Sequence, residues 1–308
     1  MSADRAGVVY QVDASYFVFR AYHSLPPDVT DADGNPTQAL YGFARFLADL
    51  LERARPARIV AAFDESFRGA ESYRNSIYPA YKANREETPP DLARQFARCR
   101  EFCRLAGVAE FASRRYEADD LIGTFAARAR AAGLRNVLLT RDKDLAQLIR
   151  DGDVFWDGGG PIRYHYHDIA TRFGARPERM ADFLALTGDA VDNVPGVPGI
   201  GPKTASRLLA EFSSLDELYA NLDRVADLGL RGAARIGRAL RIHREAAYFA
   251  RRLTAIRCDL PLEATLDDLR PRVPDVAGLS RFLDAQGFGA ALRRQIDRIA
   301  LRAAADYA

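Results

Sequence analysis

Three β-rich segments of the chain are each followed at once by an aspartate, and this feature restricts the fold most. Asp13 follows VVYQV, Asp64 follows IVAAF and Asp142 follows VLLTR. Helical patterns separate the three segments, which is typical of a parallel sheet covered by helices. In such a sheet the carboxyl ends of the strands share one edge, where ligands bind. The sequence therefore predicts an α/β protein whose acids converge at one edge of a parallel sheet.

Other patterns predict the helices and a division into two parts. Helical periodicity and helix-end signals predict helices at about 41–53, 88–107 and 118–132. The alternating segment YHYH at 164–167 is typical of a strand. Beyond about residue 175 the strand signals give way to helical ones. We therefore expect an α/β domain over residues 1–175 and a helical part over residues 176–308.

Six more acids extend this group: Asp144 lies beside a strand end, Glu117, Asp119 and Asp120 lie at a predicted helix start, and Asp189 and Asp192 have the same three-residue spacing as Glu117 and Asp120. Asp144 is two residues beyond Asp142 and is expected to point the same way if the chain is extended there. A helix cap needs one carboxylate, so capping explains any single acid but not the three in YEADD. The complete set of nine is Asp13, Asp64, Glu117, Asp119, Asp120, Asp142, Asp144, Asp189 and Asp192.

The nine acids point to bound cations. Crowded carboxylates raise one another's pKa values unless positive charge neutralises them. Oxygen ligands without His or Cys favour magnesium or manganese over zinc. We therefore expect two Mg²⁺ ions, which Mn²⁺ can replace, as in two-metal hydrolysis of phosphodiesters.

The balance of charge indicates a nucleic-acid surface around such a site. The chain has 44 Lys and Arg against 42 Asp and Glu, a net charge of +2. Setting the nine acids aside leaves 33 acids against 44 bases, a basic body around an acidic pocket. The three cysteines show no zinc-binding spacing, and Cys99 and Cys103 fit a buried helical stripe.

Five motifs together resemble the 5′-nuclease (flap endonuclease) family, and most closely the 5′-3′ exonuclease domain at the N-terminus of bacterial DNA polymerase I. They are VDASYFVFRAYHSLPP, AAFDESFR with YPAYKANR, RYEADDLIGTFA, LLTRDKDLAQLI and LTGDAVDNVPGVPGIGPKTA. The resemblance runs from about residue 8 to 300. It implies a PIN-like 5′-nuclease fold, with a helical arch beside the α/β domain and a helix-hairpin-helix at about 186–212 in the helical part.

The resemblance also implies a role for each acid. Asp13, Asp64, Glu117, Asp119 and Asp120 match the positions that hold the first metal in this family. Asp142, Asp144, Asp189 and Asp192 match those that serve the second metal, directly or through water. Two departures stand out, because the family usually has Gly in place of Ala14 and often in place of Arg141.

Basic residues complete the implied active site. Lys82 and Arg85 are three residues apart and are expected to share one face of a helix. The resemblance implies that both contact the scissile phosphate and that the residues after them form the arch. Tyr81 is a candidate for stacking on a base, and Arg20 and Arg74 are expected DNA contacts. From the residues alone, YKANR would be an exposed basic helix face.

The segment GVPGIG resembles the turn of a helix-hairpin-helix, which holds duplex DNA by its backbone. Glycines there let the chain approach a phosphate closely, next to the free N–H groups of the following helix. Expected DNA contacts are Gly196, Gly199, Gly201, Lys203 and Thr204. Related proteins bind potassium at this turn, and the matching carbonyls are those of Leu186, Thr187, Pro195, Val197 and Ile200. Taken alone, the loop would be only a tight turn.

These residues lead to a metal-dependent, structure-specific 5′-3′ exonuclease and flap endonuclease that acts in replication and repair. The expected substrate is duplex DNA with a 5′ single-stranded flap or end, and a DNA polymerase or ligase remains an open partner. Two alternatives are a catalytically silent branched-DNA-binding module and a ribonuclease of the wider fold class. We expect a cytoplasmic protein, because the sequence shows no signal peptide and no apolar stretch that could span a membrane. We also expect a monomer, because no apolar periodicity in the sequence demands an oligomer.

Overall fold

The computed structural model describes residues 7–65 and 72–306. Six strands form one sheet in the N-terminal part: β1 (Val8–Asp13), β2 (Ile59–Asp64), β3 (Ala109–Ser113), β4 (Arg135–Thr140), β5 (Val154–Asp157) and β6 (Arg163–Tyr164). Their order is β3-β2-β1-β4-β5-β6, and all neighbours are parallel except β5 and β6. β1 and β2 are almost entirely buried, as expected for central parallel strands. The predicted α/β class is confirmed.

Helices cover both faces of this sheet. They are α1 (Ala14–Ser24), α2 (Gln38–Ala54), α3 (Tyr73–Ile77), α4 (Pro90–Leu105) and α5 (Ala118–Ala131). Three of them match the predicted helices, and α4 starts at Pro90, since proline lacks the N–H that a first helical turn leaves unpaired. Cys99 and Cys103 are fully buried on α4, which confirms the predicted stripe. The end of the AAFDESFR motif lies outside the described residues.

The chain then becomes helical, as predicted. The helices are α6 (Tyr166–Phe173), α7 (Met180–Thr187), α8 (Pro202–Glu211), α9 (Leu215–Ala220), α10 (Ala233–Ile242) and α11 (Arg244–Thr254). The strand predicted for YHYH is wrong beyond Tyr164, because His165 is the N-cap of α6. A capping box decides this, since the His165 N–H donates to the Asp168 side chain over 2.8 Å.

The last part of the chain returns to the sheet. Residues 255–275 cross its β2 and β3 side, where the Ile59 N–H donates to the Leu269 carbonyl over 2.8 Å. Two final helices, α12 (Val276–Ala285) and α13 (Ala290–Asp306), then pack on α2 and α4. Phe282 of α12 lies beside Phe102 of α4, with ring centroids 6.1 Å apart. These helices therefore complete the core of the N-terminal part.

None of the helices in the described ranges, 7–65 and 72–306, combines the length and the apolar character that crossing a membrane requires.

Gly107 joins the returning segment to α4. It has a left-handed φ of 75°, and its carbonyl accepts a hydrogen bond from the Arg272 N–H at 2.8 Å. A Cβ at Gly107 would collide with the Arg272 backbone. Gly133, after α5, has nearly the same φ of 73° but no heavy atom within 4 Å of a Cβ.

We therefore expect Gly107→Ala to destabilise the protein more than Gly133→Ala. Both variants carry the left-handed strain of about 1 to 2 kcal/mol. Only Gly107→Ala also forces a backbone shift, which adds on the order of 1 to 3 kcal/mol. Urea unfolding of the two variants measures the difference, and equal losses of stability would show that the contact with Arg272 is dispensable.

Candidate active site

The carboxyl ends of the central strands bring acids together, as the sequence predicted. Asp13 ends β1 and caps α1, accepting a hydrogen bond from the Tyr16 N–H at 3.1 Å. The Thr140 hydroxyl at the end of β4 donates to Asp13 over 2.8 Å. Asp64 ends β2 and accepts from the Ala118 N–H at 2.9 Å. Hydrogen bonds between elements therefore fix the directions of Asp13 and Asp64.

Burial and mutual repulsion raise the pKa values of several acids at this edge of the sheet. The pKa of Asp13 is raised to about 7, first by burial and then by the charges of Asp64 and Asp142. Burial also raises the pKa of Asp119 well above its ordinary value, and Asp142, Asp13 and Asp64 add to the rise. The pKa of Asp142 is raised mainly by burial. These carboxyls therefore share one electrostatic environment.

Asp144 lies in the same electrostatic environment, but a helical turn and not the predicted extended backbone places it there. The chain is not extended after Asp142, which instead caps a 3₁₀ helix, Lys143–Leu148, and accepts from the Asp144 N–H at 2.9 Å. Burial and then the charge of Asp142 raise the pKa of Asp144 to about 8. Its Oδ1 atom is buried and accepts no hydrogen bond from the described residues.

Basic side chains reach into the same acids. The Lys82 ammonium lies 2.8 Å from Glu117 Oε1 and 3.7 Å from Asp192 Oδ2, and Arg85 lies 2.5 Å from Asp192 Oδ1. Although burial opposes it, the charges of Lys82 and Arg85 lower the pKa of Asp192. On the other side of the group, Lys143 lies 2.5 Å from Asp189 Oδ2.

The prediction that Lys82 and Arg85 share a helix face is wrong. The helix α3 ends at Ile77, and Lys82 lies in a turn with a left-handed φ of 55°. The Lys82 N–H donates to the Asp192 carbonyl over 3.0 Å, and the Asn75 side chain donates to the Tyr81 carbonyl over 2.8 Å. These contacts from distant residues override the local helical spacing.

Tyr81 is buried, so the prediction that its ring stacks on a base is not supported. The ring is only 3% exposed. Its hydroxyl donates toward Glu117 over 3.2 Å and Asp192 over 3.0 Å, which links the two acids that Lys82 also bridges.

Asp120 and Arg74 form a buried ion pair, and this corrects both predicted roles. The Arg74 guanidinium donates to the two Asp120 oxygens over 2.7 and 2.9 Å. It also donates to the carbonyls of Leu253 and Ala255 at the C-terminal end of α11. Asp120 is fully buried and also accepts from the Arg257 N–H at 2.9 Å. Arg74 therefore lies too deep to contact DNA, and Asp120 lacks the free oxygens of a direct metal ligand.

The remaining acids suit a divalent cation in their chemistry. All donors are carboxylate oxygens, which hard cations such as Mg²⁺ prefer, and Asp144 Oδ1 is a buried oxygen without a hydrogen-bond donor. In the described part of the chain, no three His, Cys, Asp or Glu side chains are gathered closely enough to enclose an ion. Two lysines instead bridge pairs of acids, since Lys82 contacts Glu117 and Asp192 and Lys143 contacts Asp144 and Asp189. Arg85 pairs with Asp192. The donor set is present, but the ligand shell is not closed.

A cleft of about 910 Å³ opens beside Asp64 and Glu117. Lys82 and Arg85 line one side of the cleft, and Phe19, Tyr22 and His23 of α1 line another. The sequence analysis did not single out the α1 residues, although their spacing of three and four residues places them on one helix face. Basic and aromatic walls next to buried acids can hold a nucleotide by its phosphate and its base.

The hairpin between α7 and α8 brings together the residues predicted there. A Cβ on Gly196 would lie 2.6 Å from the Thr187 carbonyl oxygen. The backbones of Gly196 and Thr187 are therefore closer together than any residue with a side chain at position 196 would allow. The Val197 N–H donates to the Leu186 carbonyl over 2.9 Å, and the Ile200 N–H donates to the Val197 carbonyl over 3.0 Å. Gly201 caps α8, whose first turn contains Lys203 and Thr204.

The other predicted positions lie around the sheet edge. Arg20 is exposed on α1 and donates to the Gly158 carbonyl over 2.7 Å. Arg141 pairs with Asp157 at 2.9 Å, and this pair occupies its guanidinium at the end of β5. Ala14 is buried as the first residue of α1, a position that suits alanine.

Comparisons with known sequence families agree with this architecture. Residues 8–174 match the family described as "5'-3' exonuclease, N-terminal resolvase-like domain", and residues 175–277 match "5'-3' exonuclease, C-terminal SAM fold". A thermostable DNA polymerase I of Thermus filiformis is 40% identical over 92% of the chain, and DNA polymerase I of Rhizobium leguminosarum is 36% identical over 93%. The chain spans 32% and 28% of these relatives.

Solved structures share the fold. A T5 5′-exonuclease structure, described with bound divalent zinc ions, has a TM-score of 0.62 at 20% identity, and the match covers 96% of this chain and 99% of that one. The catalytic core of Rad2 in complex with DNA substrate has a TM-score of 0.58 at 17% identity, with 95% and 92% covered.

We expect Arg74→Met to destabilise the protein by about 3 to 5 kcal/mol, because it leaves the Asp120 charge buried without its partner. Denaturant unfolding at neutral pH measures the loss. The control is Arg270→Met, since Arg270 and Asp267 form an exposed pair at 2.9 Å whose loss costs less than about 1 kcal/mol. Similar losses in both variants would contradict a structural role for the buried pair.

We also expect the metal-free protein to lose stability as the pH rises from about 5 to 9. In the unfolded chain an Asp carboxyl ionises near pH 4. The folded protein keeps protons on Asp13 and Asp144 up to about pH 7 and 8. The folded state therefore binds more protons in this range, and the free energy of unfolding falls with increasing pH.

Thermal melts in chelator at several pH values measure this slope. Asp144→Asn should show a shallower decline, because its amide does not ionise. Millimolar magnesium should raise the melting temperature most at high pH, through preferential binding to the native state. A melting temperature that ignores both pH and magnesium would count against a shared acidic pocket.

Proposed function

The chain belongs to the 5′-3′ exonuclease family, as its motifs predicted, and from this premise we propose that it is a divalent-metal-dependent nuclease that cleaves DNA near a 5′ flap or end. One observation carries the proposal most directly. Acids from the ends of β1 and β2, the start of α5 and the 3₁₀ helix after β4 converge beside a basic and aromatic cleft. The chain spans about a third of the length of its polymerase relatives.

Eight of the nine acids are proposed to hold two Mg²⁺ ions, with Mn²⁺ as a substitute. We assign Asp13, Asp64, Glu117 and Asp119 to the first ion, and Asp142, Asp144, Asp189 and Asp192 to the second. Asp120 is proposed to position the first group without binding the ion. It is the N3 residue of α5, and its side chain accepts a hydrogen bond from the backbone N–H of Glu117 in a capping box. When bound, such ions lower the pKa of a coordinated water and neutralise charge on the phosphate.

Lys82 and Arg85 are proposed to orient the scissile phosphate. Both border the cleft, where the Lys82 side chain is mostly buried and the Arg85 side chain is exposed toward the opening. Positive charges held in place beside the phosphate stabilise the charge that develops there. The acids that they contact, Glu117 and Asp192, hold them at the boundary between the cleft and the acidic group. Phe19 and Tyr22 offer aromatic surfaces for the base of the same nucleotide.

The hairpin is proposed to grip the duplex part of the substrate. Gly199 and Gly201 are exposed with no atom near a Cβ, which leaves their backbone open to a phosphate. Gly196 keeps the turn tight, and Lys203 and Thr204 lie in the first turn of α8, where helix N–H groups are free. A potassium ion held by the carbonyls of Leu186, Thr187, Pro195, Val197 and Ile200 belongs to the same proposal. Arg20 remains a proposed DNA contact at the opposite side.

The polymerase relatives support a proposal about the biological setting. We propose that the protein removes flaps or RNA primers in a bacterial cytoplasm as a monomer, in step with a DNA polymerase or ligase. A silent DNA-binding module would have no need for eight converging acids, and a minimal ribonuclease domain would have no need for the hairpin.

We expect cleavage of a 5′-labelled single-flap duplex near the flap junction with magnesium and none with chelator. Asp119→Asn and Asp142→Asn should each slow cleavage more than about 100-fold, the loss of about 3 kcal/mol of transition-state stabilisation. Arg270→Met, far from the acids in sequence and exposed, is the control and should cleave normally.

Wild-type rates in both Asp variants would exclude the metal mechanism. Tight binding of the flap without any cutting would favour the silent module. Faster cleavage of single-stranded RNA than of flap DNA would favour the ribonuclease.

A further inference from the structure

The chain uses lysine at only three positions. It contains 41 arginines and three lysines, namely Lys82, Lys143 and Lys203. Lys82 contacts Glu117 at the cleft, and Lys203 lies in the first turn of α8. Arginine serves at every other basic position, so these three sites select a compact ammonium over a planar guanidinium. Lys143 is the one of the three to which neither the family motifs nor the proposed mechanism gives a role.

Lys143 lies inside the group of acids assigned to the second ion. It stands between Asp142 and Asp144 in sequence. Its Nζ atom is 2.5 Å from Asp189 Oδ2 and 3.6 Å from Asp144 Oδ1. Those two carboxylates come from the 3₁₀ helix and from the turn after α7, so the ammonium links two separate segments.

The two partners differ from Lys143 in their freedom to move. The Asp189 side chain is 6% exposed. Its backbone is held by two hydrogen bonds to Val194, in which the N–H of each residue donates to the carbonyl of the other. Asp144 Oδ1 is buried without a hydrogen bond. The Lys143 side chain is 43% exposed. Asp189 is therefore held by its backbone and the Asp144 oxygen is enclosed, while the ammonium between them is open to water.

We propose that Lys143 is a tethered counter-ion that holds Asp144 and Asp189 together when no divalent ion is present and moves into solvent when one binds. The proposal rests on the proposed function, because it takes these acids as ligands of the second ion. An ammonium suits this exchange, since it is a point charge on a flexible stem. A guanidinium would grip a carboxylate with two parallel hydrogen bonds and would be harder to displace.

The consequence is a difference in affinity between the two ions. A divalent ion at the second group must displace one positive charge from Asp189 and Asp144. Lys143 makes no contact with Asp13, Asp64 or Asp119 among the ion pairs of the described residues. Lys82 contacts Glu117 of the first group, but the acids of the second group contact Lys82, Arg85 and Lys143. The second ion should therefore bind more weakly than the first in the absence of DNA.

The test measures Mn²⁺ binding to the DNA-free protein by isothermal titration calorimetry. Lys143→Met should lower the dissociation constant of the weaker ion about tenfold, the scale of one close, partly hydrated charge, and change that of the tighter ion less than twofold. Lys143→Arg should not tighten either ion. Arg270→Met removes one exposed positive charge outside the acidic group and should leave both constants unchanged.

Unchanged or weaker binding of the second ion by Lys143→Met would overturn the proposal, because Lys143 would then be neutral toward the ion or needed to build its site. Melting curves in chelator check that each variant folds, and Lys143→Gln replaces the methionine variant if that one does not. Absence of Mn²⁺ binding in every variant would instead remove the proposed function itself.

Discussion

Repulsion among buried carboxylates at one sheet edge is the constraint on which the rest of the structure depends. The strand order places Asp13 and Asp64 side by side, and the 3₁₀ helix and the α7–α8 turn add acids from elsewhere in the chain. Burial makes each added charge costly, as the raised pKa values of Asp13 and Asp144 show. Positively charged side chains of the protein offset this repulsion in two ways. Arg74 is sealed in the interior, whereas Lys143 reaches the acids from the solvent side.

This division separates permanent support from exchangeable charge. Arg74 donates to Asp120 and to two carbonyls at the end of α11, so it joins the start of α5 to the end of that helix. The position of Glu117 and Asp119 thus depends on a part of the chain more than a hundred residues away. Lys82, Arg85 and Lys143 contact acids that face the cleft or the proposed second ion, where charges must be free to change partners.

The sequence was informative where local pattern decides structure. The hydrophobic periodicity predicts the strand ends and helix bounds, and the topology of a parallel sheet predicts that the acids converge. The structure agrees closely with these predictions. It was uninformative where partners come from distant residues. No spacing rule pairs Arg74 with Asp120 or turns Lys82 into a left-handed conformation, because contacts from Leu253 and Asp192 decide both. The strand prediction for the YHYH segment was wrong for a local reason, because the capping box of His165 and Asp168 starts a helix there despite the alternating pattern.

The return of α12 and α13 to the sheet has a consequence for synthesis on the ribosome. Phe102, Leu279 and Leu292 share one core, although the first is made long before the last two. A nascent chain that has finished α4 still exposes the surface that α12 and α13 will cover. Chains of this size fold through intermediates, and exposed apolar surface makes such intermediates prone to aggregation. A chain that stops before α12 and α13 are made should therefore have a folding defect, even though every acid of the candidate site has already been translated.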